Sequence, residues 1–156
     1  MKLFIKIIIF VILIVIVSFT IFLFSEKLFA PTVDKNNEAK ACYKNYCFNL
    51  YLAKSDAEKE QGLMFVSDLK DDQGMFFIFD KVGVYPFWMK NTLMPLDILW
   101  LDEGYKVVYI SENNQPCKDN CDFIVPKNPA KYVLELKAGS IKKTGLLLQD
   151  GLSITY

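Results

Sequence analysis

The sequence predicts a mainly β domain of the α+β class, a compact barrel-like or sandwich arrangement with two short helices, preceded by one N-terminal transmembrane helix. Three observations predict it. Seven short runs rich in aromatic or β-branched residues are separated by turn formers, only two segments carry helix signals, and the first two dozen residues are almost wholly apolar.

The apolar run comes first. Ile7 to Phe24 is broken only by Ser18 and Thr20, and Leu3 to Ile5 extends it beyond Lys6. About 20 apolar residues cross a hydrocarbon core of roughly 30 Å, whereas the apolar core of a signal peptide covers about 7 to 15. Leu28-Phe29-Ala30 before Pro31 is a poor cleavage site, and the first cysteine is Cys42. Residues 1–24 therefore read as an uncleaved anchor, with residues 3–24 in the lipid bilayer; a processed signal peptide is the alternative. Lys2 and Lys6 precede the span, so the positive-inside tendency keeps the N-terminus cytoplasmic and places the rest outside, in a single-pass protein of the cell membrane. Residues 25–40 carry Pro31, Asn36 and Asn37 and read as a polar tether. Residues 41–156 form the extracytoplasmic domain.

Within that domain the predicted strands are Cys47–Ala53, Met75–Phe79, Tyr85–Lys90, Asp97–Leu101, Lys106–Ile110, Tyr132–Leu136 and Ser153–Tyr156. Ser55-Asp56-Ala57-Glu58 is a capping box that starts a helix ending at Gly62. A second helix, Ser140–Thr144, lies between Gly139 and Gly145. Cys42, Cys47, Cys117 and Cys121 all follow the span, an even number in an oxidising compartment. They read as disulfides, Cys42 with Cys47 and Cys117 with Cys121. Neither spacing is that of a zinc knuckle and the chain has no histidine, so no metal or cofactor is expected. Residues 31–156 hold 15 lysines against 17 acidic residues, a net charge of −2, and no arginine, which argues against nucleic acid as a partner.

The chemistry concentrates in Phe87-Trp88-Met89-Lys90-Asn91-Thr92-Leu93-Met94-Pro95-Leu96-Asp97. A buried strand has no use for Lys-Asn-Thr unless those groups meet partners or a ligand. Alternation sets Tyr85 and Phe87 on one face and Trp88 with Lys90 on the other. Trp88, Lys90, Asn91, Thr92 and Asp97 are thus candidate ligand-binding residues for a small polar or carbohydrate ligand, with Trp88 as an aromatic platform. A tryptophan half covered by the loop bearing Cys117 and Cys121 is the plainer alternative. Lys90 and Asp97 could pair across a turn at Asn91–Pro95, or serve a hydrolase or transferase; no catalytic residue is assigned. Met64, Met75, Met89 and Met94 suggest either core packing or a soft-metal site for Cu(I) at Met89 beside Trp88.

Together with Gly62-Leu63-Met64, Gly74-Met75-Phe76, Tyr132-Val133-Leu134-Glu135-Leu136 and Ala138-Gly139, that run resembles the domain of unknown function 192 family. The resemblance covers nearly all of Phe48 to Ser153 and implies a small β-rich domain, often tethered to or exported across a membrane, with no settled reaction. The function expected is therefore binding or scaffolding at the cell envelope.

Overall fold

A computed structural model describes residues 4, 6, 10, 12–19 and 38–156. The N-terminal segment and the unit from Val33 onward are separate compact bodies. Residues 12–19 are helical, their apolar side chains are exposed, and the Ser18 hydroxyl donates back to the Ile14 carbonyl at 2.9 Å. Among the described residues no helix is long and apolar enough to cross a membrane. Half of the expected span, residues 3–24, and most of the expected tether, residues 25–40, lie outside them.

Seven strands build one sheet: β1 (Glu38–Tyr43), β2 (Tyr46–Ala53), β3 (Gln73–Gly83), β4 (Leu96–Leu101), β5 (Val107–Asn114), β6 (Ala130–Lys137) and β7 (Ser153–Thr155), in the order β5-β4-β6-β3-β2-β1-β7. The sheet is open, which corrects the barrel expectation. Its two edge strands are not paired along their length. Only the approach to β7 reaches β5, through a bridge between Lys106 and Gly151 and the bond from the Val107 N–H to the Asp150 carbonyl. β1 begins inside the stretch read as tether. Its small inward residues Ala39 and Ala41, flanked by Glu38 and Lys40, give too weak an apolar alternation to announce a strand.

All strand pairs are antiparallel except β2 with β3. Parallel neighbours need a crossover rather than a hairpin, and here the crossover carries α1 (Asp56–Gln61). The capping box is formed: the Glu58 N–H donates to Ser55 Oγ, and Glu58 Oε2 accepts the Ser55 N–H at 2.8 Å. Gly62 ends the helix at φ +50°, ψ −137°, a conformation that favours glycine. Helix α2 (Ser140–Thr144) lies between Gly139 and Gly145 as expected.

Period-two alternation gives the sheet two apolar faces. Leu50, Phe76, Leu99, Leu101, Leu134 and Leu136 build one core, closed by Ile141, Leu146 and Leu152. Phe77, Ile98, Trp100 and Val133 begin the other, closed by Leu63 and Leu69 of the crossover and by Phe87 and Met89. The expected strand Tyr85–Lys90 is instead a cover over this second core. Pro86 lacks an N–H for a ladder, and the segment makes only isolated bridges, Phe87 to Ile124 and Lys90 to Cys117.

Both expected disulfides are present, Cys42–Cys47 and Cys117–Cys121. The second closes a loop bonded to the cover: the Cys117 N–H donates to the Met89 carbonyl at 2.9 Å, and the Asn91 N–H donates to the Cys117 carbonyl at 2.8 Å.

Candidate functional site

A small cleft opens where the crossover meets the cover. Lys59 to Met64 form one wall, Phe87, Trp88, Lys90 and Thr92 the other, and Phe77 and Glu135 are among its lining. It encloses about 20 Å³, room for about one water-sized group. Two residues next in sequence to its lining adopt left-handed backbone. Phe65 has φ +62° and Asn91 φ +55°, and the Phe65 N–H donates to the Asn91 carbonyl at 2.9 Å. Bulky residues rarely adopt this region, and such conformations collect at ligand sites.

Trp88 and Lys90 are brought together. The Lys90 ammonium lies 4.9 Å from the centre of the Trp88 ring, within cation–π range. Phe123 stacks on the same ring, centroids 5.3 Å apart and planes 7° from parallel, so the loop after Cys121 already covers one indole face. Thr92 is buried and its hydroxyl donates to the Met89 carbonyl at 2.9 Å. Asn91 contributes its backbone to the scaffold. Met89 and Met75 are buried in the second core, Met94 packs against it, and Met64 lines the cleft.

Asp97 is elsewhere, and the pairing expected between Lys90 and Asp97 does not form. Alternation along β4 turns Asp97 to the opposite face from Leu96 and Ile98. There Oδ1 accepts the Asn113 N–H at 2.9 Å and Oδ2 accepts the Ile141 N–H at 3.0 Å. Helix α2 has no side-chain cap of its own, and Asp97 supplies an acceptor to its first turn.

The residue that sequence reasoning missed is Glu135. It sits on β6 opposite Met75 of β3 and Ile98 of β4, and it is 3% exposed. Among the described residues its Oε2 has no hydrogen-bond partner. Burial pushes the carboxyl up to about 8, the Leu63 N–H acting weakly in the other direction. Gly74 lets β6 approach β3 closely, since a Cβ there would strike the backbone carbonyl of Glu135, and the Gly62 Cα side faces the carboxyl, a Cβ there falling 3.5 Å from Glu135 Oε2. The signal was in the sequence: in Tyr132-Val133-Leu134-Glu135-Leu136, alternation puts Glu135 on the same buried face as Val133.

The arrangement holds an acid with one oxygen unpartnered among the described residues, with Lys59, Glu60 and Lys90 the charged residues beside it in the lining. Among the described residues no group of three or more Cys, Asp or Glu could hold a metal ion.

Comparison with known proteins gives the same fold. Residues 39–154 match the family DUF192, described as "Uncharacterized ACR". A crystal structure from Sinorhizobium meliloti 1021, described as a candidate transcription regulator, superposes with a TM-score of 0.68 at 32% identity, covering 74% of this chain and 91% of that one. A protein of unknown function from Novosphingobium aromaticivorans DSM 12444 gives 0.68 at 28% identity, covering 81% and 93%. No curated protein matches the chain.

Proposed function

The chain belongs to the DUF192 family, and on that premise we propose that it is a membrane-anchored, extracytoplasmic module that binds a small polar ligand in the cleft above Glu135. One observation carries the binding reading: a fully buried carboxyl oxygen in that cleft without a partner among the described residues. Leaving such a group unsatisfied costs about 1 to 3 kcal/mol, and nothing about the core requires an acid there. A ligand that reached it would offset that cost, while the strained residues next to the lining and the Trp88–Phe123 stack hold the mouth in shape. About 20 Å³ admits the polar head of a ligand and not a sugar ring, so a larger ligand would rest its remainder on the rim.

The location rests on the apolar run Ile7 to Phe24, the lysines before it and the two formed disulfides, which suit an oxidising compartment.

The binding reading is tested by screening small polar fragments by NMR against the full chain in lipid nanodiscs. Hits are expected to shift the Met64 methyl and the Trp88 indole signals together. A screen in which no fragment moves either signal removes the reading. For the location, protease added to intact spheroplasts should digest the domain, and protection until lysis would reverse the orientation.

A further inference from the structure

We propose that the cleft is a carboxylate-binding site, in which the buried, unpartnered carboxyl oxygen of Glu135 shares a hydrogen bond with one ligand oxygen and Lys90 supplies the balancing charge. This rests on the binding reading above and names the class of ligand.

Three observations choose a carboxylate over a cation. Glu135 is buried and Leu63, Phe77 and Phe87 supply apolar lining beside it, so an ionised carboxylate there is disfavoured. Burial raises the pKa of the group to about 8, which favours the protonated, hydrogen-bond-donating form at neutral pH. A ligand must then offer an acceptor. A cationic head would have to strip the proton from Glu135 and form a buried ion pair, with the desolvation of both charges opposing it.

The charges beside the site point the same way. Lys59 and Glu60 come from the crossover and Lys90 from the cover; β3 and β4, which flank Glu135, present Met75, Phe77 and Ile98. Lys59 is 3.7 Å from Asp56. Lys90 has no carboxylate within ion-pair distance among the described residues and rests on the Trp88 face. A cation held on an aromatic ring is still available to an anion, since the ring does not neutralise it. The volume fits as well. A carboxylate is flat, and about 20 Å³ accepts one of its oxygens while the second stays at the mouth.

The test uses the full chain in nanodiscs with three probes, sodium acetate, methylammonium chloride and glycerol, read by the Trp88 indole signal and the Glu135 carboxyl carbon shift. Acetate is expected to bind at millimolar concentration, to keep Glu135 protonated to higher pH, and to lose about thirtyfold in affinity between pH 6.5 and 9.5 as Glu135 ionises. Glu135→Gln keeps a donor, so it should bind acetate with a flat profile over that range. Lys90→Met should lower acetate affinity several-fold at every pH and leave the profile unchanged. Acetate binding with a flat profile in the wild type would overturn the role of Glu135. Methylammonium binding that strengthens with pH, with no response to acetate, would overturn the ligand class and leave the binding reading standing, as would a response to glycerol alone. Silence to all three probes would remove both.

Discussion

Asp97 and Glu135 are two buried acids on neighbouring strands of one sheet, and they face opposite ways. Asp97 meets two backbone N–H groups, one from the end of β5 and one from α2, and so ties two elements to the first core. Glu135 faces the second core and has an oxygen with no partner among the described residues. An acid that fastens backbone to backbone is fully used by the fold. One that keeps an oxygen unsatisfied is available for something outside the fold, which is why the cleft and not the Lys90–Asp97 pair is the candidate site.

The contrast is sharpest in stability. Asp97→Ala removes two charge-assisted bonds worth about 1.5 to 3 kcal/mol each, so the urea midpoint should report a loss of about 3 to 5 kcal/mol. A loss below about 1 kcal/mol would put Asp97 in the same class as Glu135.

A smaller effect comes from pH. The Glu135 carboxyl titrates near 4.5 in the unfolded chain and at about 8 in the folded one, burial being the cause. Between those values the folded state holds a proton that the unfolded state has released. Stability from this group is therefore complete below about pH 4.5 and falls as pH rises toward about 8, by up to about 1.4 kcal/mol per pH unit. Glu58 and Asp71 are shifted downward by their hydrogen bonds to Ser55 and to Lys137 and Lys143, so their contributions change at lower pH and with the opposite sign. Urea melts across pH 5 to 8 check this, and an unchanged slope in Glu135→Gln would assign the dependence to other groups.

The smallest effect has the opposite direction to Asp97→Ala. Replacing Glu135 with leucine removes the unsatisfied oxygen and keeps an apolar side chain there, so at about pH 4.5, where the pH-dependent cost has not set in, the chain should gain about 1 to 2 kcal/mol. A loss of that size would mean that the acid supports the core.

Much of the fold was legible because its signals are local. The capping box at Ser55, the glycines at 62, 139 and 145 and both short-range disulfides depend on neighbours a few residues apart, and all are found as expected. What failed depends on the partner strand. Tyr85–Lys90 has the composition of a strand, yet its neighbours offer it only isolated bridges. The closure of the sheet depends on which edges meet, and no local run encodes that. The site was half legible: Trp88 and Lys90 do line the cleft with Thr92. Asp97 was chosen for its nearness in sequence to Lys90, but strand alternation turns it to the other face. Glu135 was legible only through strand parity, which sets it with Val133 on the buried face.

The open sheet leaves two edges at which another chain could add a strand, and such edges are where β proteins aggregate. Here both are poor templates. β7 is three residues long. The start of β5 is occupied by the bonds that Tyr105 and Val107 make to residues 149–152, and its far end shifts register and bends at Asn113, where φ is +53°. Residues 149–152 thus cover the start of β5, and removing residues 149–156 is expected to uncover that edge and favour edge-to-edge assembly.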